Sequence, residues 1–306
     1  MFTRRKFFGF CSALAVMAGV MPAGLRAESE AVFNPDITAL RKLSSVIAGA
    51  APRAVHVTKV ADTVRPANVV VAGADPAQKM TLARTVYQLV YPDNTSVMID
   101  SGMDEETHRT FGKTEEPFYP DNYEQVKRAL LQARLIILTH YHADHVAGVV
   151  RSDQFETLAP KTWASTDTAD LMVTKPHKET IKIAHEKVDL FRIQDMGAYH
   201  PIAPGVVLIR APGHTPDSKM IYIRTEDGRE FIHSVDSGWS MENIRQEKMK
   251  NASWVREDER QLLGQYQWLN RVMREEKDII VLCTHDNEQY IDFTARGILQ
   301  QGLYTV

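Results

Sequence analysis

Apolar residues recur along this chain in two patterns. Short branched runs bounded by turn residues read as strands: Val55 to Val60, Asn68 to Ala72, Val86 to Tyr91, Val97 to Asp100, Arg134 to Leu138, Val206 to Ile209, Met220 to Ile223, Glu230 to His233 and Ile279 to Leu282. Pro92-Asp93-Asn94 lies between two of them and marks a hairpin turn. Apolar positions three and four apart mark helices instead. Ile37, Leu40, Leu43 and Ile47 form such a stripe behind an Asn34-Pro35 start, and Val126, Leu130 and Leu131 form another in Asp121 to Ala133. Gln261 to Met273 carries Leu262, Leu263, Tyr266, Leu269 and Met273 on one face. Thr168 to Lys175 and Glu179 to Leu190 read as helix and loop segments, and Met103 to Tyr119 as a long loop whose Phe111, Phe118 and Tyr119 are placed to wall a pocket. Strands and helices therefore alternate in two halves.

The first residues follow neither pattern. Arg4, Arg5 and Lys6 precede the apolar stretch Phe7 to Met21, and Leu25-Arg26-Ala27 offers a small residue for cleavage, which is a secretory signal over residues 1–27. Thr3-Arg4-Arg5-Lys6-Phe7-Phe8 resembles a twin-arginine signal, which implies the twin-arginine export machinery as a partner and an exported, periplasmic or secreted product. The apolar run is short against the roughly 20 residues of a membrane span, so no stable span is expected after cleavage. The mature chain then begins near Glu28, with a helical extension over 28–53 packed on a single domain over 54–306. Losing the four basic residues of the leader takes the formal charge from −3 to −7, and an acidic chain is a poor nucleic-acid binder. Losing Cys11 leaves Cys283 alone, so no internal disulfide can form, and Cys283 reads as a core thiol.

The chemistry concentrates in Thr139-His140-Tyr141-His142-Ala143-Asp144-His145, directly behind the apolar strand that ends at Leu138. Imidazole and carboxylate ligands suit zinc, iron, cobalt or manganese. His140 and His142 alternate in an extended chain and can grip one ion from the same side. Asp144 and His145 turn the other way and can grip a second, and Gly148 permits a tight turn into the next helix. His56, His108, His177, His185, His200 and His233 read as ordinary solvated histidines.

His-x-His-x-Asp-His after a strand resembles the signature of the metallo-β-lactamase superfamily. Ala211-Pro212-Gly213-His214-Thr215-Pro216, Ser234-Val235-Asp236-Ser237 and Leu282-Cys283-Thr284-His285-Asp286 are similar to its later motifs, in the same order. The resemblance implies an α/β fold of αββα sandwich type. It implies two divalent metal ions per chain, by preference Zn2+: His140, His142 and His214 on the first, Asp144, His145 and His285 on the second, and Asp236 between them. Asp100, in Asp100-Ser101-Gly102, is then an orienting residue beside the site rather than a ligand.

Within the superfamily the chain most resembles the N-acyl homoserine lactonases. The resemblance rests on the spacings from His145 to His214, Asp236 and His285, on Asp236-Ser237-Gly238-Trp239-Ser240-Met241-Glu242-Asn243, and on His285-Asp286-Asn287-Glu288-Gln289. It implies a small-molecule ester or lactone substrate opened by a metal-bridging hydroxide, with Asp144 passing a proton to the leaving oxygen. Trp239 stands where that group often has tyrosine, and with Phe118 is expected to contact substrate. Asp217-Ser218 replaces the usual Gly-His. The alternatives on the same fold are a glyoxalase II-like thioesterase and an arylesterase or organophosphate hydrolase. A protein that merely binds metal or a small ligand is the other class, and seven intact ligands weigh against it.

Overall fold

The computed structural model describes residues 33–112 and 115–305. The signal expected over 1–27 lies outside the described residues. Twelve strands are assigned among them: β1 (Ala54–Pro66), β2 (Lys79–Val90), β3 (Ser96–Ile99), β4 (Leu135–Ile137), β5 (Thr162–Ser165), β6 (Arg192–Gln194), β7 (Tyr199–Ala203), β8 (Val206–Arg210), β9 (Lys219–Arg224), β10 (Glu230–His233), β11 (Ile279–Leu282) and β12 (Gln300–Gln301). They form a seven-stranded sheet in the order β12-β1-β2-β3-β4-β5-β6 and a five-stranded sheet in the order β11-β10-β9-β8-β7.

Strand alternation explains the layering. Side chains one apart on a strand face opposite sides. Val97 and Ile99, Leu135 and Ile137, and Val206 and Leu208 enter one apolar cluster that also takes Phe231 and Leu282, so this cluster lies between the two sheets. The intervening Met98, Ile136 and Leu138 face a second cluster with Val126 and Leu130 of the helix Pro120–Gln132. Val207 and Ile209 face a third, with Leu262, Trp268 and Leu269 of the helix Glu259–Glu275. Two sheets packed face to face and covered by helices on both outer sides make an αββα sandwich.

Several local expectations are corrected. Asn68 to Ala72 is not a strand. Ala67–Val70 is one helical turn, and Val70 and Val71 bury themselves against Leu82 and Trp239 instead of pairing in a sheet. The first helix, Ile37–Leu43, is capped by Asp36, which accepts the Thr38 N–H at 2.8 Å, not by Asn34. Pro35 sits outside it, its carbonyl accepting the Trp268 indole N–H at 3.0 Å, and Ile47 lies beyond its end. Leu40 is fully buried in the third cluster. Met103 to Tyr119 is not one loop, because Asp104 caps a helix over Glu105–Arg109. Gly148 lies inside the helix Ala143–Val150 rather than before it. A Cβ there would come within 2.0 Å of the Ser101 carbonyl, so the residue permits a close approach rather than a turn. Among the described residues no helix is long and apolar enough to cross a membrane.

Candidate metal centre

Four strand ends deliver the site, and they come from both sheets. His140 follows β4, His214 follows β8, Asp236 follows β10 and His285 follows β11. His142 is the N-cap of the helix Ala143–Val150, and Asp144 and His145 occupy its first turn, helical rather than looped as the sequence implied. The seven expected residues gather into two groups, His140, His142 and His214 in one and Asp144, His145, Asp236 and His285 in the other. In each group the potential ligand atoms lie within 4.8 Å of one another. Asp236 joins the groups: its Oδ2 lies 3.4 Å from His214 Nε2 and 3.0 Å from His285 Nε2, and its Oδ1 lies 3.4 Å from His145 Nε2.

Four of the five rings are held from behind. Asp100 accepts hydrogen bonds from the Thr139 N–H at 2.8 Å and its hydroxyl at 2.9 Å, and from His145 Nδ1 at 2.7 Å. With its proton spent on Asp100, the Thr139 hydroxyl accepts from His140 Nδ1 at 3.1 Å. His285 Nδ1 donates to the Ala83 carbonyl of β2 at 2.7 Å. Glu257 accepts from His214 Nδ1 and is itself paired with the fully buried Lys250, which also donates to the Asp236 carbonyl at 2.7 Å. These partners fix the tautomers and leave the other ring nitrogens facing inward. Lys219 supports the same loop from below, donating to the Thr139 carbonyl at 3.1 Å, Thr168 Oγ1 at 2.8 Å and the Asp217 carbonyl at 2.7 Å. Burial lowers its ammonium to about 8. Asp100 and Val235 take left-handed backbone, at φ 61° and 52°, and both adjoin the site. A β-branched residue in that region is strained, and such strain gathers at functional sites.

The donor chemistry fits a pair of cations. His140 Nε2, His145 Nε2 and Asp236 Oδ1 are buried without a hydrogen-bond partner. Each such atom costs about 1–3 kcal/mol unless something binds it. Burial, then the neighbouring imidazoles, lowers His140 and His142 well below the usual range, so both rings are neutral and ready to ligate. Burial would raise Asp236, but His285 and His145 hold it well below the carboxylate range. Burial would lower His145, but Asp236, Asp100 and Asp144 raise it well above the imidazole range. Burial would raise Asp144, and Arg84, which pairs with it directly, keeps it ionised.

The groups open into a cavity of about 1060 Å³. Trp239 lies on its wall, as expected. Phe118 does not: its ring stacks on His108, at 6.0 Å between centroids, and leans on Tyr123 in the helix-side core, while Phe111 takes the wall. His177 is not a solvated residue either. It stacks on His142 at 4.0 Å, accepts the Ala143 N–H at 3.2 Å through Nδ1, and is lowered to about 4 by burial. His108 and His233 are buried too, held respectively by the Glu116 carbonyl at 3.2 Å and the Val235 N–H at 3.0 Å. Cys283 is a buried free thiol, raised by burial.

The family model described as the Metallo-beta-lactamase superfamily matches residues 83–228, from within β2 to beyond the end of β9, with four of the five histidine ligand candidates. The fold is that of the metallo-beta-lactamase superfamily. On this fold the chain is 27% identical to an N-acyl homoserine lactonase of Bacillus thuringiensis over 154 residues, 50% of this chain, and spans 56% of that relative's length. It is similar to the solved structure of an N-acyl homoserine lactone hydrolase carrying the product N-hexanoyl-L-homoserine at its catalytic metal centre. The TM-score is 0.62 at 18% identity, over 79% of this chain and 96% of that one. A dizinc quorum-quenching lactonase gives a TM-score of 0.55 at 13% identity, over 75% of this chain and 86% of that one.

Proposed function

We propose that the protein is a dinuclear metal-dependent hydrolase that opens lactones of the N-acyl homoserine type. The observation that carries this reading is the single Asp236 carboxylate within 3.4 Å of a nitrogen in each of two otherwise separate ligand groups. His140, His142 and His214 would hold one ion and Asp144, His145 and His285 the other, with Asp236 shared. Two divalent ions held this way supply an acidified water and polarise an ester carbonyl.

The chain's own residues do the rest. Asp100, Glu257 and the Ala83 carbonyl keep three imidazoles turned inward. Leu82, Trp239, Trp254 and Val255 give the cavity an apolar wall for an acyl group. Asp144, kept as the carboxylate, takes a proton from the attacking water and passes it to the leaving oxygen. Trp239 has an indole N–H and no titratable hydroxyl, so it serves as wall or donor and not as an acid.

Zinc-replete protein assayed against lactones, thioesters, aryl esters and phosphotriesters tests the reading. Preference for lactones is the expected result, and turnover of thioesters or phosphotriesters with intact lactones would leave only the hydrolase class. The Arg4-Arg5 pair supports export of the folded precursor by the twin-arginine route. Replacing both residues by lysine is expected to trap the protein in the cytoplasm, and unimpaired export of that variant would exclude the route.

A further inference from the structure

The cavity is electropositive in a chain that is acidic. Setting aside the ligand residues, its wall carries Arg65, Lys79, Arg84, Lys178 and Arg256 against Glu115 and Glu116 among the described residues, while the whole chain has a formal charge of −3. Arg65 is spoken for, paired with Glu116 at 2.5 Å. Arg84 and Lys178 meet at one aromatic ring. Both press on the ring of Phe111, the guanidinium carbon and the ammonium each 4.7 Å from its centroid. They therefore share one ring, and Asp144, which pairs with Arg84, also attracts Lys178. Besides that ring, Arg84 pairs with Asp144 at the metal centre and weakly reaches His285 Nε2 and the Thr63 hydroxyl, each at 3.5 Å, and its Nε is buried without a partner. Lys178 donates to a neutral acceptor, the Thr110 carbonyl, at 3.1 Å. Burial lowers the Lys178 ammonium, against the attraction of Asp144, and the weaker repulsion of Arg84 acts in the same sense as burial.

A cleft lined mainly by one sign of charge concentrates ligands of the other. We infer that Arg84 and Lys178, seated on Phe111, form a subsite for a carboxylate carried by the substrate away from the bond that is cut. The substrate class is then an anionic lactone or ester, its acyl chain ending in a carboxylate. This rests on the hydrolase reading above, and gives that reading a charge preference. Arg84 lies in β2 and Lys178 behind the helix Thr166–Thr174, so the subsite faces the second ligand group.

The test compares two substrates of equal chain length on the zinc-loaded full protein, N-adipoyl homoserine lactone with a terminal carboxylate and N-hexanoyl homoserine lactone without one. The ratio of their kcat/KM values is expected to favour the anion, to fall about ten-fold in Lys178→Gln and further in Lys178→Glu, to recover in Lys178→Arg, and to shrink with added salt. Lys182, exposed and paired with Glu179 outside the cavity, is the control, and Lys182→Gln should leave the ratio unaltered. A second readout needs no turnover. Calorimetric titration of the metal-free protein with adipate should show binding that Lys178→Glu abolishes. If both lactones are opened, the ratio ignores Lys178→Glu and adipate does not bind, the subsite is overturned and the hydrolase reading stands. If neither lactone is opened but adipate binds through Lys178, the lactone reading has failed and the anion site survives.

Discussion

The two ligand groups are built on opposite electrostatic plans. The first, His140, His142 and His214, is made of imidazoles alone, and the charges beside it are Asp236, shared with the second group, and Glu257, already balanced by Lys250. The second, Asp144, His145, Asp236 and His285, holds two carboxylates, a protonated His145 and the neighbouring Arg84 in the same small volume. The first is thus a cup of imidazoles, with His140 and His142 held neutral by burial. The second is a set of ion pairs in which Arg84 and the His145 proton supply the positive charge themselves. A cation entering the first group displaces little, whereas one entering the second competes with charges already there.

Asp236 is the one residue both plans share, so its loss should have the largest effect. Asp236→Ala is expected to lower the bound metal below two ions per chain and to cut kcat/KM by about a thousand-fold or more, since the several kcat-determining kcal/mol of a metal pair convert at about 1.4 kcal/mol per tenfold. Elemental analysis beside kinetics checks both halves. His214→Ala and His285→Ala should each empty mainly its own group, and equal losses from both would break the comparison.

Next in size is Arg84. Its pair with Asp144 is nearly dry, the two side chains being 11% and 4% exposed. Arg84→Met leaves a buried carboxylate uncompensated, which costs about 3 kcal/mol in the metal-free protein. A bound cation takes over the same charge, so zinc should remove most of that difference. Urea unfolding with and without zinc measures it, and an equal cost in both states would mean that Arg84 does not stand in for a cation.

How much of this is legible in the sequence depends on how far apart the partners lie. The loops after β4, β8, β10 and β11 can be read because a buried strand and its polar exit are adjacent in the chain, and period-two burial of Ile136 or Val207 is a local pattern. Arg84 is 60 residues from Asp144, and His214 is 43 from Glu257, and nothing local marks either pairing. His177 sits in a lysine-rich stretch that reads as solvated, and only its stacking on His142 brings it to the site. Phe111 and Phe118 look alike in sequence. Both pack on the helix-side core, and only the first also lines the cavity.

Glu257 sharpens the first group. Glu257→Gln keeps an acceptor for His214 Nδ1 but removes the charge that matches Lys250. Loss of such a partner lowers metal affinity by about 10–100-fold. The expected loss is confined to one of two zinc-binding steps in a competition titration with a chelator. Loss from both steps would mean that the groups are not separable.

The smallest effect, and the most direct reading of the two plans, is in protons. Thiolate-free sites of this kind bind metal through deprotonated atoms, so any proton on a ligand must leave as the ion arrives. In the first group burial holds His140 and His142 neutral, and no proton need leave from them at pH 7. In the second, the surrounding carboxylates overcome burial and keep His145 protonated through neutral pH, and Asp100 already takes the Nδ1 proton, so the one that leaves is on Nε2. The sign follows: because the metal-free state binds more protons than the loaded one, affinity rises with pH. Each proton released makes the slope about tenfold per pH unit, up to the point where His145 loses its proton unaided. Calorimetry of zinc binding in buffers of different ionisation enthalpy should therefore find about one proton released with one ion and close to none with the other. Two equal proton counts would show that the charge contrast between the groups does not govern how they load.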